Sequence, residues 1–236
     1  MSDATKFHAV IPAAGAGARM GADMPKQYLV LAGKTVLEHS LDALLACERI
    51  ARVVLVLSPA DGHWRQIRHR YKDSRMETAS GGAERCHSVL HGLVQLTGAA
   101  AEDDWVLVHD AARPCVRQQD IEMLVRTLEN DPVGGLLGLP VADTMKQVDA
   151  AGTVLQTVER DGLWRALTPQ MFRLGLLRDA LQQSIASGAL VTDEAAAMEM
   201  AGHRPRMVQG QGDNIKITRP GDLQLAEFYL QSRSTL

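Results

Sequence analysis

Five consecutive aliphatic residues, Val53-Val54-Leu55-Val56-Leu57, constrain this chain more than any other stretch. A strand with one solvated face alternates apolar and polar side chains; this one cannot, so both its faces must be covered. That condition is met in a parallel sheet flanked by helices. The surrounding pattern agrees. Ala9-Val10-Ile11, Trp105-Val106-Leu107-Val108 and Val133 to Leu139, the last loosened by Gly134 and Gly135, read as further strands. Helical stripes fall between them: Leu37 to Leu45, a basic Trp64 to Tyr71, Arg85 to Leu96, and Gln118 to Leu128 with Ile121, Leu124, Val125 and Leu128 on one face. Alternating β and α units predict an α/β fold, a doubly wound, mostly parallel sheet with right-handed crossovers. At 236 residues and 46% hydrophobic content, a single domain over 1–236 suffices.

The rhythm breaks at Thr144 to Val158, where polar and β-branched residues alternate about Ala150-Ala151-Gly152. This predicts a β-hairpin arm at about 141–162 that projects from the sheet. Two readings stay open: a solvated surface hairpin, or an arm packed on another subunit. The α/β rhythm resumes at Leu167, with helices expected at Leu174–Ala186, Glu194–Ala201 and Gly221–Leu230, and strands near Met207–Val208 and Ile215–Thr218. The formal net charge of −3 argues against a general affinity for nucleic acid. Cys47, Cys86 and Cys115 are far apart and form no CxxC pair, which fits a reducing cytoplasm. Met1 to His8 has no apolar signal core, and no apolar run is long enough to span a membrane.

Ligands of such sheets bind beyond the carboxyl ends of the strands. After the first strand comes Ala13-Ala14-Gly15-Ala16-Gly17-Ala18-Arg19-Met20-Gly21. Its glycines let backbone N–H groups approach a phosphate. The third glycine is one place late for a dinucleotide fingerprint, and the GKS or GKT of a P-loop is absent. Alone, such a loop is a tight turn. Arg19, with a planar fork, and Lys26, a mobile point charge stiffened by Pro25, turn it toward anion binding. Gly81-Gly82-Ala83-Glu84 offers a backbone wall to a flat base, with the Ser88 hydroxyl on the first turn of the following helix. His109-Asp110-Ala111-Ala112-Arg113 follows the central strand, where an aspartate can cap a turn or hold a metal or sugar hydroxyl. Arg160 ends the hairpin, Thr168-Pro169-Gln170 follows Leu167, Thr192 reads as a helix N-cap, and Lys216 sits in a short strand from which a lysine ordinarily points to solvent.

Taken in order, AAGAGARM with PKQYL, GGAERCHSVL, VHDAARP, DTMK, GLWRALTPQ, VTDEAAAME and DNIKITRP cover nearly the whole chain. In this set the chain resembles the 2-C-methyl-D-erythritol 4-phosphate cytidylyltransferase family, CTP-using enzymes of non-mevalonate isoprenoid synthesis with a Rossmann-like nucleotidyltransferase fold. The resemblance implies that Ala13, Ala14 and Gly15, with Gly82 and Ser88, hold cytosine and ribose. It implies that Arg19 and Lys26 hold the triphosphate, and that Asp110 and Arg113 lie between nucleotide and sugar phosphate. Thr168, Thr192 and Lys216 would face methylerythritol phosphate, while Thr144 and Arg160 would arrive from the arm of a second subunit in a homodimer. Arg19, Lys26, Lys216 and Arg160 are the expected catalytic cations. Mg²⁺, or another divalent cation, would be carried mainly by the CTP phosphates, with Asp110 a candidate ligand. One departure stands out: Ala83 occupies a place where some relatives carry aspartate, which leaves only backbone contacts to the nucleotide there.

The implied reaction is attack of the sugar 4-phosphate oxygen on the α-phosphorus of CTP, with pyrophosphate leaving in line. A cytidylyltransferase for another alditol phosphate such as ribitol 5-phosphate, a nucleotide-binding regulator without turnover, and a dinucleotide oxidoreductase are the alternatives. The length leaves no room for a full fused cyclase domain.

Overall fold

The computed structural model describes residues 5–15 and 24–233. Strand β1 (Phe7–Ala13) leads to a 3-10 turn at Lys26–Tyr28 and a small ribbon of β2 (Val30–Leu31) and β3 (Lys34–Thr35). Then follow α1 (Val36–Leu45), β4 (Ile50–Leu57), α2 (Trp64–Ile67), β5 (Met76–Ser80), α3 (Arg85–Thr97), β6 (Trp105–Val108), α4 (Gln118–Leu128) and β7 (Gly134–Pro140). The arm is β8 (Met145–Val148) with β9 (Val154–Val158), after which β10 (Trp164–Arg173), α5 (Leu174–Ala186), α6 (Glu194–Met200), β11 (Arg206–Gln209) and α7 (Pro220–Arg233) complete the chain.

Seven strands form one sheet in the order β11-β7-β10-β6-β1-β4-β5. The pairings are parallel except at β10, which runs antiparallel to both β6 and β7. The aliphatic run behaves as its pattern requires. Val53, Leu55 and Leu57 join Ala9, Ile11, Trp105 and Leu107 in a core beneath α1 and α4. Val54 and Val56 join Val10, Val106 and Val108 in a second core beneath α3 and α5. Each strand thus feeds two cores through its pleat. Cys47, Cys86 and Cys115 are buried free thiols, one in each of three apolar clusters. Among the described residues no helix is long and apolar enough to cross a membrane.

The arm hairpin pairs Met145 with Val158 and Val148 with Val154, and the Asp149 carboxylate accepts the N–H groups of Ala151 and Thr153 to close its turn. Val154 and Leu155, 56% and 61% exposed, have no core of their own within the chain.

Several expectations are corrected. Gly134 and Gly135 tighten the sheet: a Cβ on Gly135 would stand 1.9 Å from the Arg206 carbonyl oxygen, so only glycine lets β7 and β11 pair. The polar edge strand β5 escapes a search for apolar runs. The helix expected over Trp64 to Tyr71 is one α-turn followed by a 3-10 turn at Arg68–Arg70. Thr168-Pro169-Gln170 lies inside β10, where the regular β10–β7 register shifts between Ala166 and Gln170. Ile215–Thr218 forms no strand; it is a loop tied to the segment after β6 by the Ile217 N–H, which donates to Ala112 O. Asp193, not Thr192, caps α6, accepting the Ala196 N–H.

Candidate active site

The chain runs from β1 outward to β4 and β5, then returns to lay β6 on the other side of β1. Such a reversal opens a crevice beyond the carboxyl ends of the strands. A cleft of about 370 Å³ occupies it. Its walls are Pro12 to Gly15 at the end of β1, Gly82 to Arg85 with Ser88 after β5, and Asp110 to Ala112 after β6. Lys26 with Gln27, and Lys216 with Thr218, close the remaining sides.

The two backbone walls are braced from behind. Buried Gln27 donates to Ala13 O and Gly15 O, at 2.8 and 3.1 Å. Gly81 packs where a Cβ would meet that of Ala14 at 2.3 Å, which brings the two loops together. Ser88 is nearly buried: its hydroxyl accepts the Gly82 N–H at 3.1 Å and donates to Glu84 O at 3.2 Å. It thus shapes the glycine turn from the first turns of α3.

The two lysines enter from different segments. Lys26 Nζ donates to Ile217 O at 2.8 Å. Lys216 Nζ contacts Asp110 Oδ2 at 2.7 Å. The other carboxylate oxygen, Oδ1, accepts Arg85 Nε at 3.0 Å. Arg85 also clasps Glu194, through Nη1 to Oε1 at 2.7 Å and Nη2 to Oε2 at 3.1 Å. Burial alone would push the Asp110 carboxyl up, but Arg85 first, then Lys216 and Arg113, hold it far below the usual carboxylate range. Asp110 is therefore an anion near neutral pH and a poor proton acceptor. Full burial pushes the Glu194 carboxyl up, against the pull of the Arg85 fork.

Behind Asp110 lies a neutral relay. His109 Nε2 stands 3.1 Å from Arg113 O, and since a carbonyl can only accept, Nε2 carries the proton. Nδ1 then accepts the Thr168 hydroxyl at 3.0 Å, and Thr168 Oγ1 accepts the Asp110 N–H at 3.1 Å. Burial pushes the His109 imidazole down to about 4.

Of the residues singled out from sequence, Ala13, Ala14, Gly15, Lys26, Gly82, Ser88, Asp110 and Lys216 line the cleft. Arg19 lies outside the described residues. Arg113 and Thr168 are buried beneath Asp110 and do not line it; Arg113 donates to Asn214 O at 2.8 Å. Thr192 is exposed and outside the lining, as are Thr144 and Arg160 on the arm, where Arg160 Nη1 donates to Ala142 O. Lys216 turns inward because its segment is a loop and Asp110 attracts it. Sequence reasoning passed over Arg85, Glu194 and Gln27. The signal for Arg85 was a cation at the start of a helix, where the helix dipole disfavours it.

Among the described residues no three His, Cys, Asp or Glu side chains cluster as a metal cage. Both Asp110 oxygens are held by cations, so it would take a metal ion only by giving up one of those bonds.

The sequence pattern of the 2-C-methyl-D-erythritol 4-phosphate cytidylyltransferase family matches residues 7–232. The chain is 53% identical to the 2-C-methyl-D-erythritol 4-phosphate cytidylyltransferase of Pseudomonas putida strain GB-1 over 219 residues, 92% of this chain and 93% of that protein. It is 51% identical to the enzyme of that name from Hahella chejuensis over 226 residues, 96% of this chain and 93% of that protein. A crystal structure of a 4-diphosphocytidyl-2C-methyl-D-erythritol synthase superposes with a TM-score of 0.84 at 39% identity, covering 97% of this chain and all of that one. The Francisella tularensis 2-C-methyl-D-erythritol 4-phosphate cytidylyltransferase gives 0.81 at 34% identity, over 95% of this chain and 100% of that one.

Proposed function

Because this chain belongs to the 2-C-methyl-D-erythritol 4-phosphate cytidylyltransferase family and transfers the cytidylyl group of CTP to 2-C-methyl-D-erythritol 4-phosphate, we propose how its own residues divide that work. The observation that carries the proposal is the cleft itself: two loops of bare backbone face two lysines across the crevice of a doubly wound sheet.

Cytosine and ribose sit against Ala13 to Gly15 and the Gly82 turn. The triphosphate extends toward Lys26, and Arg19 is a second cation for it. Methylerythritol phosphate approaches from the Lys216 side. Its 4-phosphate oxygen attacks the α-phosphorus, and pyrophosphate departs in line toward Lys26. The nucleophile is already an anion near neutral pH, so no general base is needed. The strong stabilisation of ionised Asp110 is consistent with that.

The barrier lies in bringing two polyanions together. Each like pair of unit charges at 4 Å costs ~1 kcal/mol at the dielectric of water and ~4 kcal/mol at an effective value of 20. Lys26 and Lys216 offset that repulsion and favour the charge that develops on the transferred phosphorus. Mg²⁺ enters with CTP as part of the substrate and neutralises its phosphates. Asp110 anchors Lys216, and Arg113 and Thr168 support Asp110 from below.

We further propose a homodimer in which the arm lies on the partner and delivers Thr144 and Arg160 to its cleft. The exposed apolar residues of the arm, which include Met145, Val148, Val154 and Leu155, support this. Buried free thiols fit a cytoplasmic setting.

The test is pyrophosphate release from CTP, Mg²⁺ and methylerythritol phosphate by the purified protein. Turnover is expected, lost with a chelator and weak when ribitol 5-phosphate replaces the acceptor. Equal rates with both acceptors would overturn the substrate assignment. Nucleotide binding without turnover would point to a regulator.

A further inference from the structure

We propose that Arg85 and Glu194 form a positioning couple that sets the reach of Lys216 through Asp110. The inference rests on the reading above, in which Lys216 neutralises the reacting phosphates.

Arg85 lines the cleft, and a guanidinium so placed would ordinarily be taken as a phosphate ligand. Its bonds argue otherwise. Each terminal nitrogen gives one N–H to Glu194 and Nε gives its single N–H to Asp110, so the fork is held from three points and faces the carboxylates. Arg85 is the first residue of α3, where the positive helix end disfavours a cation. Glu194 is the first residue of α6, where a carboxylate is favoured, and it is fully buried. The cation is thus held at a site its own helix opposes by an anion that the other helix stabilises.

The result is a chain of alternating charge, Glu194–Arg85–Asp110–Lys216, which joins four segments distant in sequence. Arg113 adds no hydrogen bond to it, since its Nε lies 3.6 Å from Asp110 Oδ2. Without Arg85, Asp110 would be free to turn both oxygens onto Lys216 and withdraw the ammonium from incoming phosphates. With Arg85 on Oδ1, the carboxylate plane is fixed and offers Lys216 one oxygen. Glu194 in turn keeps the guanidinium from swinging into the cleft. A lysine cannot replace Arg85, because one ammonium cannot clasp Glu194 with a fork and reach Asp110 as well.

The experiment is steady-state kinetics with CTP, Mg²⁺ and methylerythritol phosphate, with thermal melting to check folding. Arg85→Lys is expected to melt within a few degrees of the parent, lose about tenfold or more in kcat, and change the KM for CTP by less than about threefold. Arg85→Gln should lose more. Placed in a Lys216→Gln background, Arg85→Gln should cost less than about twofold further, because its effect passes through Lys216. Glu194→Gln should also lower kcat with little change in the KM for CTP, by a smaller factor than Arg85→Gln. If Arg85→Gln does not fold, Arg85→Lys and Glu194→Gln carry the test.

Parent kcat in Arg85→Lys would overturn the inference. So would a defect confined to the KM for CTP, which would make Arg85 a nucleotide ligand, or an undiminished loss in the Lys216→Gln background. Parental turnover separates the two levels. If the parent releases no pyrophosphate, the transfer reading and this inference fall together; if it does and Arg85→Lys matches it, only the positioning role falls.

Discussion

At the residue scale, the side chains that meet substrate stand on side chains that do not. Lys26 is predicted to act mainly on the departing pyrophosphate. Lys26→Ala should therefore lower kcat by about a hundred- to a thousandfold while weakening CTP binding far less. Near-parental turnover by the purified variant would remove Lys26 from the mechanism. Lys26→Arg should recover only part, since a planar fork does not replace a compact ammonium that also reaches Ile217 O. Below Asp110, the neutral ring of His109 is built into the fold, because full burial penalises its protonated form. In the unfolded chain the imidazole takes its proton near about 6.5, and in the folded chain near 4. Between these values unfolding takes up a proton, so stability is full above the window and falls as pH drops through it, by up to about 3 kcal/mol from this group. His8, also pushed down by burial, adds in the same direction. Denaturant melts at several pH values between about 4 and about 7.5, a window that spans the imidazole titration, should show a flatter profile for His109→Gln than for the parent. Parallel profiles would contradict the assignment.

At the element scale, the apolar stripes made most of the fold legible. Gln118–Leu128 and Leu174–Ala186 end where their periodicity ends. The five aliphatics announced a sheet covered on both faces, and two cores take alternate side chains from them. What stayed hidden obeyed other rules. The strand Met76–Ser80 is a polar edge whose order comes from pairing with β4. Pro169 concealed the middle of β10, since a proline inside a run argues against a central strand. At the site, the glycine loops and lysines could be read because they stand next to the strand ends. The Arg85–Glu194 pair could not, because its partners meet only when α3 and α6 both pack against α5. Gly134 and Gly135 were read as weakness and are the condition for a close pairing. Gly135→Ala should part β7 from β11 and lower stability by more than about 3 kcal/mol. Gly62→Ala, where a Cβ meets nothing within 4 Å, should change it by less than about 0.5 kcal/mol. Equal melting temperatures for the two variants would refute the steric account.

At the scale of the whole molecule, the arm decides whether one chain suffices. If each cleft takes Lys26 from one chain and Arg160 from its partner, Lys26→Ala and Arg160→Ala should each inactivate the homodimer. Unfolding and refolding the two variants together pairs them at random. In each mixed dimer one cleft carries both defects and the other neither, so roughly a quarter of all sites should regain activity. A mixture as inactive as its parents, with refolded parent protein recovering, would show that Arg160 serves its own chain. The same β10 that leaves the base of the arm at Trp164 passes under the cleft at Thr168 and ends at Arg173, just past the buried Phe172. In mechanical terms it is a single beam loaded at one end by the arm and supporting, near its middle, the hydroxyl that carries the Asp110 amide. One continuous strand joins the arm to that amide, with its pairing to β7 shifting register only between Ala166 and Gln170. Hydrogen exchange at the Asp110 N–H should therefore quicken when the tip of the arm is cut away, while exchange at Val54 in the distant half of the sheet stays as it was; an unchanged Asp110 amide would mean that the beam is slack.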